Sequence, residues 1–366
     1  MTATLWIGTR KGLFVARRGD SHWRIGKPHF AGEPVTQVLV DPRDGAWYAA
    51  LRLGHFGIKL RKSSDAGVHW EEVAAPAFPP KPSEGPWKDD PTPWSVDLVW
   101  GLEAGPGRLW AGCLPAGLFT SDDGGASWQL VQSLWERPER KEWFGGGYDH
   151  AGIHSILVDP RDGRHVTIGI SCGGVWQTRD AGATWSSTSQ GMDAGQYMPP
   201  ERRFDPNVQD VHRIDQCRDD PQVLWCQHHG GLYRSVDAGL RWEPIPAPQP
   251  SAFGFPVAAH PVDRQRAWFA PAHSDAQRIP VDGRMVVNET RDGGASFASH
   301  GEGLPQRDAY HLIYRHALVT SDDGQTLAMG STTGGLWVSE DAGASWQCLS
   351  RDLPPIAVLR IGENST

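Results

Sequence analysis

Fifteen histidines are the first residues to weigh for chemistry, and eight of them fall beside glycine turns or at the start of apolar runs. These are His55, His150, His154, His212, His228, His229, His273 and His311. Neutral imidazole is the commonest metal ligand and titrates near neutrality, so such a set could hold an ion or move protons. His154, His212, His229 and His311 are the candidate ligands for a divalent transition metal. They come from separate segments, and neither H-E-x-x-H nor C-x-x-C spacing supports them locally. The bland reading is that these rings line a wet channel and hydrogen-bond to the backbone. His154 and His212, with Glu142, Glu201 and Tyr148, form the candidate catalytic set, because acid–base work needs groups that titrate near the working pH. Arg10, Arg52 and Arg278, joined by His55, His228 and Tyr310, are candidates for binding substrate, since a guanidinium grips an anion in bidentate fashion. Ordinary surface cations are the competing reading. Cys113 and Cys172 read as small buried thiols before they read as nucleophiles.

The elements that must position these residues are β-strands. The chain has 366 residues, with 43 Gly, 29 Pro and 18 Trp, so it is rich in turns but too aromatic to be disordered. A net charge of -8 excludes a globally basic nucleic-acid binder or a polybasic membrane protein. No apolar run approaches the roughly 20 residues of a membrane helix. Five cysteines without finger spacing, and a start that runs straight into a strand, predict a cytoplasmic, reduced protein. Gly145-Gly146-Gly147 has neither the spacing nor the context of a phosphate-binding loop.

One pattern, S/T-x-D-x-G-x-x-W/F, begins at Ser63, Ser121, Thr178, Ser235, Thr290 and Ser339, at spacings of 58, 57, 57, 55 and 49 residues. Its Asp can accept amide hydrogen bonds within its own turn, its Gly supplies a left-handed backbone, and its aromatic ring packs the turn onto the unit. Ahead of each copy come a strand, a turn, a second strand and a glycine corner. Val35–Val40 with Trp47–Leu51, and Ile153–Val158 with Val166–Ile170, show the order.

This repeat resembles the Asp-box, or BNR, repeat of the sialidase-like and sortilin-type β-propellers, in which the box closes the hairpin between the third and fourth strands of each blade. The resemblance covers nearly the whole chain and implies an all-β propeller. Residues 4–23 supply strands but no first strand, and residues 356–361 supply a strand with no blade. Joined, they make a composite seventh blade that removes the sheet edges. The expectation is one seven-bladed propeller over residues 1–366, similar to the photosystem II assembly factor. Such chains are often labelled glycosyl hydrolase or exo-alpha-sialidase. An R-I-P motif, which in sialidases precedes the first box, stands here at Arg278-Ile279-Pro280 in the fifth blade. That displacement and the blade count speak against sialidase chemistry.

Long inserts at 71–94, 129–152 and 186–209 should share a face with the glycine corners and roof a pocket, with Glu142, Trp143, Tyr148, Asp149, Tyr197, Glu201 and Arg202 in reach. The first functional expectation is a hydrolase- or lyase-like enzyme acting on a polar, including anionic, small molecule in a His-rich central pocket. The alternative is a non-enzymatic platform that binds a protein segment. A third reading, a glycoside hydrolase, requires two carboxylates about 5–10 Å apart. Nucleic acid and membrane are not expected partners.

Overall fold

In the computed structural model of the chain, residues 2–20 and 22–364 are described. The expected domain limits at residues 1 and 366, and Ser21 within the composite blade, lie outside them. Among the described residues, twenty-eight strands form seven four-stranded antiparallel sheets, the seven blades of a β-propeller. Blade 1 is Val35–Val40, Trp47–Arg52, Ile58–Ser63 and Glu71–Val73. Blade 2 runs from Leu98 to Leu130, blade 3 from Ile153 to Ser187 and blade 4 from Val211 to Ile245. Blade 5 runs from Gly254 to His300 and blade 6 from Leu318 to Ser350. Blade 7 is composite: Ile356–Asn364 pairs with Thr2–Thr9, which continues through Gly12–Arg18 to Trp23–Ile25. Among the described residues no helix is long and apolar enough to cross a membrane.

The repeated turn has one chemistry. The Ser63 hydroxyl donates to Asp65 Oδ1 at 2.8 Å and accepts the Gly67 amide at 2.9 Å. Asp65 Oδ1 also accepts the amide of His69 at 2.8 Å. The same three bonds recur at Ser121, Thr178, Ser235, Thr290 and Ser339. These bonds hold the carboxyls of Asp65, Asp123 and Asp180 down at about 2, the leading causes being His69, Ser127 and Thr184. The turn glycine is required twice over. At Gly182 φ is +94°, and a Cβ there would stand 3.3 Å from the Trp110 ring of blade 2. The residue before it is also left-handed, and in four copies it is an alanine, with φ between 57° and 60° at Ala66, Ala181, Ala238 and Ala342.

Contacts divide the chain into two units. Residues 36–211 carry blades 1–3, and residues 1–35 with 212–366 carry blades 4–7, the division falling inside the first strand of blade 4. In the first unit Tyr48, Trp110, Phe119, Ile168 and Trp176 fill the space between strands. Tyr48 donates its hydroxyl to the Gly124 carbonyl of the blade 2 turn at 3.0 Å. In the second unit Trp268 plays the same part, its indole donating to the Ala342 carbonyl at 3.1 Å. Tyr48 and Trp268 thus each pack one blade and pin the turn of the next.

Candidate functional site

Within residues 36–211, three pieces of chain surround a cavity of about 480 Å³. The insert after blade 1 contributes Pro86, Asp89, Asp90, Pro91 and Thr92. The corner of blade 2 contributes Pro115 and Ala116. The insert after blade 2 contributes Trp135, Arg140, Lys141, Trp143, Phe144, Asp149, His150 and Ala151. Two of the three inserts and one corner therefore meet at one place, while the insert at 186–209 contributes no lining residue. The second insert gets its shape from a single helical turn, Gln132–Trp135, followed by a 3-10 turn, Pro138–Glu142, whose proline stands where no amide donor is needed.

The cavity is anchored by Arg140. Its guanidinium lies 3.7 Å from the Trp135 ring centre and 4.3 Å from that of Trp87. It donates to Asp90 Oδ2 at 2.6 Å and to the Trp135 carbonyl at 2.6 Å. Both ends of the pair are almost wholly buried, at 3% and 2% side-chain exposure. Burial pushes the Asp90 carboxyl up, but the Arg140 guanidinium and the Thr92 amide outweigh it and hold the carboxyl below the usual range. A buried pair costs desolvation, so it fixes a shape more surely than it adds stability. Here it ties the insert after blade 1 to the insert after blade 2. Around this anchor the lining combines aromatic faces with two exposed carboxylates, Asp89 and Asp149, one exposed cation, Lys141, and one half-buried histidine, His150.

This cavity is aromatic and carboxylate-bearing, and of the expected histidines only His150 lines it. The reason lies in where the other imidazoles point. His154 is fully buried, with Nδ1 2.9 Å from the Ser155 hydroxyl and Nε2 2.8 Å from the Val211 carbonyl. His228 is buried and accepts the Gly230 amide at Nδ1, 2.9 Å away. His311 meets the hydroxyls of Thr333 and Ser331 and the edge of Trp337; burial, with Arg351 nearby, lowers its pKa. His55 is exposed and lies against Phe56.

The remaining expected residues are dispersed. Tyr148 is 42% exposed and meets Trp100 edge-on, as His154 does. Glu142 binds Arg202 at 2.6 Å, and Glu201 is exposed on a neighbouring turn. Arg52 is held by Asp97 at 2.8 Å and Arg278 by Asp275. Arg10 and Tyr310 are exposed. Cys113 is buried and its thiol is pushed up, away from nucleophilic character.

His212 is buried, with Nδ1 2.6 Å from the Gly254 carbonyl, and Phe253 meets the half-buried His229 edge-on at 5.6 Å. Sequence reasoning missed Asp89, Trp135, Arg140 and Phe144. The Pro- and Trp-rich composition of the two inserts was their one signal.

No family model matches the chain. A xyloglucanase, Xgh74A of Acetivibrio thermocellus, is 23% identical over 186 residues, covering 43% of this chain and 20% of its own. An oligoxyloglucan-reducing end-specific xyloglucanase of Emericella nidulans is 32% identical over 81 residues, covering 22% of this chain and 9% of its own. The chain spans at most about a fifth of the length of these relatives. An ancestral GH74 enzyme superposes with a TM-score of 0.58 at 15% identity, over 91% of this chain and 37% of that one. YCF48 from Cyanidioschyzon merolae superposes with a TM-score of 0.57 at 15% identity, over 92% and 90%. A YCF48 bound to D1 peptide gives 0.51 at 12% identity, over 86% and 80%. At such identities the structural likenesses show the propeller fold alone. The chain is thus similar in part to proteins named xyloglucanases, and similar in fold both to a GH74 enzyme and to YCF48, one copy of which is bound to D1 peptide.

Proposed function

We propose that the chain is a hydrolase that takes a polar, carbohydrate-like substrate into the cavity between residues 86 and 151. The observation that carries this reading is the lining: Trp135, Trp143 and Phe144 beside the exposed carboxylates of Asp89 and Asp149. Aromatic faces cover the C–H faces of a sugar ring, while carboxylates accept hydrogen bonds from its hydroxyls. Two carboxyl groups also form the acid and base, or acid and nucleophile, of glycoside cleavage. His150 is the further group able to carry a proton. The volume lies in the range of small-ligand sites, about 300–1,000 Å³. The xyloglucanase names of the partial relatives point to the same bond type.

The test is turnover of a panel of xyloglucan-derived and other neutral and anionic oligosaccharides, followed by chromatography, with binding followed by calorimetry. Asp149→Asn and Asp89→Asn should each lower turnover by about 100-fold or more while binding persists. Trp143→Ala should weaken binding instead. A panel in which no sugar is bound or cleaved would remove this reading.

A second reading, a platform for a protein segment, is favoured by large exposed apolar side chains, Phe56 at 70% and Phe204 at 66%. The peptide-bound YCF48 supports it. Capture of a peptide without turnover of any substrate would put it first.

A further inference from the structure

We infer that Arg17 and Arg24, on the composite blade, form a binding site for a phosphate group, free or carried as a monoester. The two arginines stand directly opposite each other across the antiparallel strands Gly12–Arg18 and Trp23–Ile25. Directly opposed residues project to the same side of a sheet, with Cβ atoms about 4.5–5.5 Å apart. Like charges so placed repel, whereas a pair of opposite sign would steady the sheet. Among the described residues neither Arg17 nor Arg24 forms an ion pair.

The next pair along the ladder shows an arginine whose charge is met. Arg18 opposes Trp23, and both leave the other side of the sheet. There Glu340 of blade 6 accepts from Arg18 Nη2 at 3.1 Å and from the Trp23 indole at 2.9 Å. Position in the repeat sharpens the contrast. Counted back from Trp23, the places that hold Ser or Thr, Asp and Gly in the six repeated turns hold Ala16, Arg18 and Asp20. The seventh blade thus carries a cation where the others carry a carboxylate.

A second observation is the space beside the pair. A cavity of about 520 Å³ is lined by this hairpin alone, among its residues Val15, Arg17, Arg18, His22, Arg24 and Ile25. Val15 is buried, while Arg17 and Arg24 are exposed and open to a ligand from solvent. Arg24 is also held in place, because its Nε donates to His22 Nε2 at 2.8 Å. A guanidinium can only donate, so this ring nitrogen accepts and the imidazole is neutral. The bond uses Nε and leaves the two Nη groups of Arg24 to fork onto a ligand. Asp20, the carboxylate of the lining, pairs with neither arginine among the described residues.

The geometry selects the anion. A carboxylate has two oxygens and is filled by one fork. A phosphate group has three or four, enough for a fork from each arginine, and a charge of about −1.5 to −2 at pH 7 that offsets both cations. No residue of this lining belongs to the aromatic cavity, so the site stands or falls separately from the hydrolase reading.

The experiment titrates the full untagged chain, in chloride buffer, with inorganic phosphate and with glucose 6-phosphate, followed by calorimetry and by Tm. The expected result is one site per chain, a Tm that rises with phosphate, and an affinity that falls as sodium chloride is added. Equal affinity for the two probes assigns the free ion, and tighter binding of glucose 6-phosphate assigns a monoester. Arg17→Gln and Arg24→Gln should each weaken binding by about 10-fold or more, and the double variant should abolish it. Arg17→Lys and Arg24→Lys, which keep the charge and lose the fork, should fall between. Arg164→Gln, which removes an exposed cation of blade 3, should change nothing. Each Gln variant relieves a like-charged pair, so its ligand-free Tm should equal or exceed the parent's, which separates lost binding from lost folding. The proposal is overturned if neither probe binds, or if the affinity survives in the double variant.

Discussion

The six hydrogen-bonded turns and the long inserts are built on opposite principles. Each turn repeats one bond set, from Ser or Thr to Asp and from Gly to the hydroxyl, in all six copies. The inserts share no repeat, and their shape rests on single contacts such as Arg140 with Asp90 between two indoles. A scaffold made of equivalent parts tolerates variation at one of them. A cavity made of unique parts does not, and that is where individuality in binding resides.

Acid is the broadest way to break this contrast. The carboxyls of Asp65, Asp123 and Asp180 sit at about 2 in the folded chain, against roughly 3.9 when unfolded. A lowered folded pKa contributes stability above the unfolded value and loses it as pH falls. Stability measured by denaturant should therefore drop between about pH 4 and pH 2, with the strand signal in far-UV circular dichroism failing cooperatively. A flat profile across that window would show that the turns do not hold the blades.

Arg140→Ala is the next largest effect. It leaves Asp90 buried without its cation, a loss of about 3–5 kcal/mol. Near-ultraviolet signals of Trp87 and Trp135 should change, and ligand binding in the cavity should vanish. Ser121→Ala is smaller. It strips the Gly125 amide of its acceptor in one turn of six, about 1–3 kcal/mol. Cavity binding should persist in this variant. Loss of binding in Ser121→Ala together with its survival in Arg140→Ala would reverse the comparison.

The same division decides what could be read from the chain. The turns were legible because their chemistry is local: Ser, Asp, Gly and an aromatic residue lie within eight positions and recur. The composite blade followed from counting strands at the two ends, and Thr2–Thr9 does pair with Ile356–Asn364. The cavity was legible only as a place. That Trp143 and Asp149 would reach it could be expected from their insert, but Arg140 and Asp90 meet across about 50 residues of sequence with no motif to announce them. The histidines misled for a physical reason. An imidazole at the start of a strand has a carbonyl within reach, so His154 and His212 spend ring nitrogens on Val211 and Gly254.

The composite blade also sets a clock for synthesis. Thr2–Thr9 is made roughly 350 residues before its partner Ile356–Asn364, so one edge of the hairpin it forms with Gly12–Arg18 has no native neighbour until that partner has been translated. At about 5–20 residues per second that interval lasts tens of seconds. An unpaired edge rich in Leu5, Trp6 and Ile7 is a template for wrong pairing throughout it. The nascent chain is therefore expected to need shielding at Thr2–Thr9 until Ile356–Asn364 emerges, and slowing translation between the two should lower the yield of folded protein more than slowing it after both are made.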